Sequence, residues 1–155
     1  SAGARAAWWP ERAARVAAAI GLCLALLAGG AQAPVVFVPG ERFTLAWVHS
    51  IEKTRWEEDY RVLREGAGVR LQATEARIRG SGAGMEPPPG AVLEDGWYHY
   101  RPADPWPAEL RLSRSGFVPD YELCVDGAAC RPLAHWLESD ERATRLWACA
   151  QASRR

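Results

Sequence analysis

The residues best suited to chemistry fall in two stretches. The first runs His49-Ser50-Ile51-Glu52 and continues through Trp56-Glu57-Glu58; the second is Gly80-Ser81-Gly82-Ala83-Gly84-Met85. A serine, a histidine and carboxylates are the parts of a nucleophilic hydrolase. Their arrangement argues against the shortest version of it. His49 and Ser50 close a strand, and adjacent strand residues point to opposite faces, so His49 is badly placed to activate Ser50. Ser81 lacks the flanks of a nucleophile elbow, because Arg79 stands where the first glycine belongs. A triad of Ser81, His49 and Glu57 remains as an alternative and would make the chain a small periplasmic hydrolase. Metal binding is not expected. His49 and Glu52 are three apart, a spacing that aligns side chains on a helix but not on a strand and turn, and neither His99 nor His135 has ligand-like spacing. No cofactor is expected either.

The glycine loop suits binding better than catalysis. Three glycines in five positions admit positive φ angles and close backbone approach, and successive exposed N–H groups can form a concavity for an anion. Arg77 and Arg79 stand just before the loop and could offer paired donors to a carboxylate. No Gly-Lys-Ser/Thr follows, so this is not a nucleotide phosphate loop. The competing reading is a tight corner between sheets.

These side chains need strands to position them. Phe43, Leu45 and Trp47 alternate with Thr44, Ala46 and Val48, the period of a strand ending near His49. Trp56 to Leu63 and Val69 to Ile78 repeat the pattern. Short strands follow at Ala91–Leu93, Gly96–Tyr100, Glu109–Ser113, Tyr121–Val125 and Cys130–Leu133. Strands at this spacing predict an all-β fold, a small antiparallel β-sandwich or barrel spanning residues 34–137. Ala143, Leu146, Trp147 and Ala150 fall at helical spacing and predict a short C-terminal helix within residues 138–155.

At the other end, Arg5, Arg12 and Arg15 precede the apolar stretch Val16–Leu27, and Ala31-Gln32-Ala33 offers small residues for cleavage. Residues 1–33 therefore read as an N-terminal hydrophobic targeting helix, either a cleaved signal peptide or a retained membrane anchor with Trp8 and Trp9 at the interface. Pro34, just past the cut, disfavours cleavage. The location that follows is the periplasm or the outer face of the cytoplasmic membrane. An oxidising compartment fits Cys124 and Cys130, which flank Val125-Asp126-Gly127-Ala128-Ala129. An Asp-Gly turn there predicts a hairpin that brings the two cysteines opposite each other as a disulfide. Cys149 is left as a free, buried thiol in the terminal helix. The charge, 19 basic against 19 acidic residues, leaves no basic excess for nucleic acid. Of the tryptophans, Trp106 between Pro105 and Pro107 is the expected exposed contact.

Phe43 and Leu45, then Trp47-Val48-His49-Ser50-Ile51-Glu52 and Trp56-Glu57, and later Gly80-Ser81-Gly82-Ala83-Gly84-Met85, resemble the signature of a bacterial family, domain of unknown function eighteen-fifty. The likeness runs from about Phe43 to Leu133. It implies a small exported or anchored module, often encoded beside or fused to permeases of TAXI-type TRAP transporters, which import organic acids. No activity of the family is established. The expectation is an accessory or binding domain, non-catalytic, associated with such a permease or with a small organic anion. His49, Ser50, Glu52, Glu57, Arg79, Ser81, Gly82 and Gly84 would gather on one binding rim. A purely structural interaction module is the remaining alternative.

Overall fold

A computed structural model describes residues 17–80 and 86–151. Two antiparallel sheets pack face to face and neither closes into a barrel, so the fold is a sandwich. The larger sheet has seven strands. Its centre is β3 (Arg42–Val48), β4 (Arg55–Glu65) and β5 (Gly68–Arg79), the three long alternating segments of the sequence. On one side follow β7 (Trp97–Tyr100) and β6 (Val92–Glu94), and on the other β9 (Glu122–Val125) and β10 (Arg131–Pro132). The smaller sheet has the order β2 (Val36–Pro39), β1 (Ala19–Leu26), β11 (Ala143–Gln151), β8 (Leu110–Ser113).

Where the structure describes them, both segments expected to be helical contain a long strand instead. Within the segment read as a targeting helix, Ala19–Leu26 forms β1, paired along its whole length with β11 and on its other edge with β2. Six of its residues are buried in succession, Ile20 to Ala25. Ile20, Leu22 and Leu24 belong to the core, so an uninterrupted apolar run marks a strand buried on both faces. Gly21 is required there, because a Cβ would lie 2.1 Å from the Val38 carbonyl oxygen of β2. Leu24 pairs with Val36, so the residues on either side of the expected 33/34 boundary share one sheet. The C-terminal segment also alternates: Thr144 and Leu146 are buried while Arg145 and Trp147 are only partly so. Among the described residues no helix is long and apolar enough to cross a membrane. The tryptophans assigned to a membrane interface, Trp8 and Trp9, lie outside the described residues.

Cys149 is not a free thiol. It is bonded to Cys23, stapling β11 to β1 with Cα atoms 5.9 Å apart. The hairpin disulfide Cys124–Cys130 is present as the sequence predicts. Leu123 pairs with Arg131, so the next step of the ladder sets the cysteines opposite each other. Asp126 and Gly127 make the turn at φ 48° and 76°, and the Asp126 carboxylate accepts the amides of Glu41 and Arg42, fastening the turn to β3. The loop closed is short, so Cys124→Ser with Cys130→Ser is expected to cost only about 2 kcal/mol, read as a lowered urea midpoint. Two disulfides suggest an oxidising, non-cytosolic setting for the chain.

A bulge in the central hairpin sets which side chains face inward. Asp59 pairs with Glu75 but Tyr60 with Ala73, leaving Thr74 as the extra residue. The bulge keeps Leu71 and Ala73 facing the core and, after a shift of phase, turns Ala76 and Ile78 inward as well; all four are buried.

Candidate functional site

At one end of the sandwich the β3–β4 turn meets the loop between β8 and β9. His49 organises the turn. Its Nδ1 accepts the amides of Ile51 and Glu52 at 3.4 and 3.3 Å, its own amide donates to Thr54, and its carbonyl accepts from Lys53. The ring stacks on Trp56 at 5.8 Å. Across the gap, Asp120 binds Arg114 through both carboxylate oxygens and accepts the amides of Tyr121 and Ala134. Between turn and loop lies a cleft of about 310 Å³ lined chiefly by Trp47, His49, Ser50, Ser113, Ser115 and Tyr121. Ile51 and Phe117 stand at the two loop tips, 83% and 99% exposed.

Behind the cleft, register puts Trp47 opposite Trp56 and Leu45 opposite Glu58, so these side chains share the inner face. The Trp47 and Trp56 rings stack at 6.0 Å, and Tyr121 leans on Trp47 at 5.7 Å. Glu58 accepts the hydroxyl of Tyr60. Burial, together with the Glu58 charge, pushes the Tyr60, Tyr100 and Tyr121 hydroxyls above the ordinary phenol range. Trp56 Nε1 is buried without a hydrogen-bond partner among the described residues.

The outer face of the same sheet is an ion-pair ladder. Arg77 binds Asp59 through two nitrogens and Glu57 through Nε, and Arg55 bridges Glu57 to Glu122 on β9. Thr44 donates to Asp59, and Glu75 holds His99. These carboxylates hold the Arg55 and Arg77 guanidinium groups above their ordinary range, against the desolvation that opposes it. Arg42 and Arg61, directly opposed, line a second groove of about 480 Å³.

The expected rim is therefore only partly assembled. His49, Ser50 and Glu52 do lie together at the cleft end. Glu57 follows Trp56 on β4 and so faces the other side of the sheet, bound to two arginines; it is not an acid partner for His49. Arg79 is exposed on that outer face with its guanidinium 5.4 Å from the Trp97 ring centre. Ser81, Gly82 and Gly84 lie outside the described residues. The first glycine of that loop, Gly80, behaves as a corner: its amide donates to Gly96 and a Cβ would press on the Tyr98 ring at 2.8 Å. Trp106 is 39% exposed, with the Arg70 guanidinium stacked over it at 4.1 Å. Among the described residues no three His, Cys, Asp or Glu side chains are grouped as a metal site requires. Sequence reasoning grouped Glu58 with Glu57 but left it out of the rim, and did not single out Tyr121 or Phe117 for the site. Alternation within β4 alone does separate Glu58 from Glu57.

No curated protein and no solved structure matches the chain. One family model does, described as domain of unknown function (DUF1850), over residues 43–133. That span opens on β3, closes on the buried Leu133, and contains every residue lining the cleft. With more than half of its length matched, the chain belongs to the DUF1850 family.

Proposed function

We propose that this chain is an exported, non-catalytic accessory domain working in the periplasm or at the outer face of the cytoplasmic membrane beside an organic-acid transporter, its partner a permease of the TAXI-type TRAP kind. The two disulfides support export, and the family likeness supports the partner class. The motif residues support binding over catalysis. His49 spends Nδ1 on the amides of its own turn, and Glu57 is held by Arg55 and Arg77 on the opposite face.

The observation that carries the reading is the pair of apolar loop tips, Ile51 and Phe117, flanking one cleft. A phenylalanine with nearly its whole side chain in water stabilises nothing in the isolated domain, while a buried aromatic anchor is the usual centre of an interface. Co-expression with a TAXI-type permease should yield a complex. The Ile51→Ser, Phe117→Ser double variant should keep its melting temperature and weaken that complex by about 30-fold, the loss of one anchor worth about 2 kcal/mol. Unchanged affinity in the double variant would remove the loop tips from the interface.

A further inference from the structure

Glu58 differs from the other inward or half-buried carboxylates of this protein. Glu57 and Asp59 are bound by arginines, Glu109 by Arg145, Asp120 by Arg114, and Glu75 by His99. Glu58 has only the Tyr60 hydroxyl, and among the described residues no arginine or lysine lies within ion-pair reach of it. A partly buried negative charge without a counter-ion is costly to hold. Its surroundings are aromatic: Tyr60 and Tyr100 beside it, and Trp56 two residues back on the same face of β4. Trp56 leads to Trp47, and Trp47 to Tyr121.

Trp47 and Tyr121 line the 310 Å³ cleft, and among the described residues no arginine or lysine does. Arg114, the nearest cation in sequence, is turned into the protein onto Asp120 and Thr144. Trp47 and Tyr121 thus line the cleft together with Ser50, Ser113 and Ser115, and the Glu58 charge behind them is close enough to help push up the Tyr121 hydroxyl. Aromatic faces attract cations through their quadrupole, most strongly where a carboxylate adds to the field. An anion would meet the same field with the opposite sign.

We propose that this cleft is a binding site for a small organic cation, a quaternary or primary ammonium group carrying a short polar tail. The charged head lies over Trp47 and Tyr121, Glu58 supplies the balancing charge, and the serine hydroxyls take the tail. This site stands independently of the transporter association: the ligand can be tested on the isolated domain, without a permease.

The probe is choline, compared with 3,3-dimethyl-1-butanol, which has the same shape and no charge. Both are titrated into the intact, disulfide-bonded protein, with tryptophan fluorescence and the melting temperature as readouts. Choline should saturate the signal and the neutral isostere should bind at least about tenfold more weakly. Glu58→Gln, which keeps an acceptor for Tyr60, should weaken choline by about tenfold, and Trp47→Leu by a similar factor. Tyr121→Phe, which keeps the ring, should bind as the parent does. Choline binding without pelleting on phosphatidylcholine vesicles assigns the cation to a free molecule. Pelleting that choline displaces assigns it to a lipid headgroup of the same chemistry. Equal binding of choline and its isostere, no response to choline, or an undiminished affinity in a folded Glu58→Gln variant would each overturn the proposal.

Discussion

Replacing Cys23 and Cys149 with serine is expected to lower the stability of the domain by about 5 kcal/mol, the chain-entropy value for a closed loop of this size. The bonded cysteines are 126 residues apart in sequence, so the cross-link denies the unfolded chain most of its freedom. The contrast with Cys124–Cys130, six residues apart, is the internal control. If loop entropy governs, the long-range variant loses about twice as much as the short-range one, a urea midpoint shift of about 2 M at a typical slope. Equal shifts would mean that local packing, not chain closure, sets the effect. The staple also bears on processing. A cut after Ala33 would sever the chain between β1 and β2, yet Cys149 would keep β1 attached. The severed piece should co-migrate with the domain under non-reducing conditions and leave only on reduction. Its loss should then unfold the protein, because β1 is the inner strand joining β2 to β11.

That strand also shows where sequence reading reaches its limit. A stretch such as Ile20-Gly21-Leu22-Cys23-Leu24 is apolar at every position, because a central strand is buried on both faces; the h-region of an export signal is apolar for a different reason and looks the same. Only a partner strand separates the two, and that partner, β11, lies more than a hundred residues away. By contrast β3, β4 and β5 each alternate along most of their length, so they were legible as strands, whereas the change of phase between Ala73 and Ala76 that marks the bulge shows only in the register with β4. The disulfide hairpin was legible because Asp126-Gly127 writes its own turn. The site was half legible for the same reason. His49, Ser50 and Glu52 are close in sequence and stay close in space. Whether Glu57 joined them depended on the β3–β4 register, which opposes Trp47 to Trp56, and that is a non-local fact. Tyr121 and Phe117 come to the cleft only through the pairing of β9 with β3 and the fold of the loop before it.

That loop supplies the second large effect, and the order of two variants tests it. The Arg114 side chain is 1% exposed and Asp120 is 21% exposed, so the pair is buried unequally. Asp120→Ala leaves a guanidinium inside the protein with Thr144 as its remaining side-chain partner, and also orphans the amides of Tyr121 and Ala134. Breaking a buried pair from this side is expected to cost about 3–5 kcal/mol. Arg114→Met removes the buried charge instead and fills much of the same space. The carboxylate left behind is partly in water and keeps both amides, so the expected loss is smaller, about 1–3 kcal/mol for the lost charged hydrogen bonds. The prediction is therefore that Asp120→Ala melts at clearly lower urea than Arg114→Met; the reverse order would show that the guanidinium reaches water when its partner is gone. The consequence extends to the cleft, because Asp120 anchors one end of the loop whose tip is Phe117 and directly precedes the Tyr121 ring. Arg114→Met should keep that ring against Trp47, and with it the tryptophan emission of the parent. Asp120→Ala should release it, shifting the emission to the red under conditions where the rest of the sandwich is still folded.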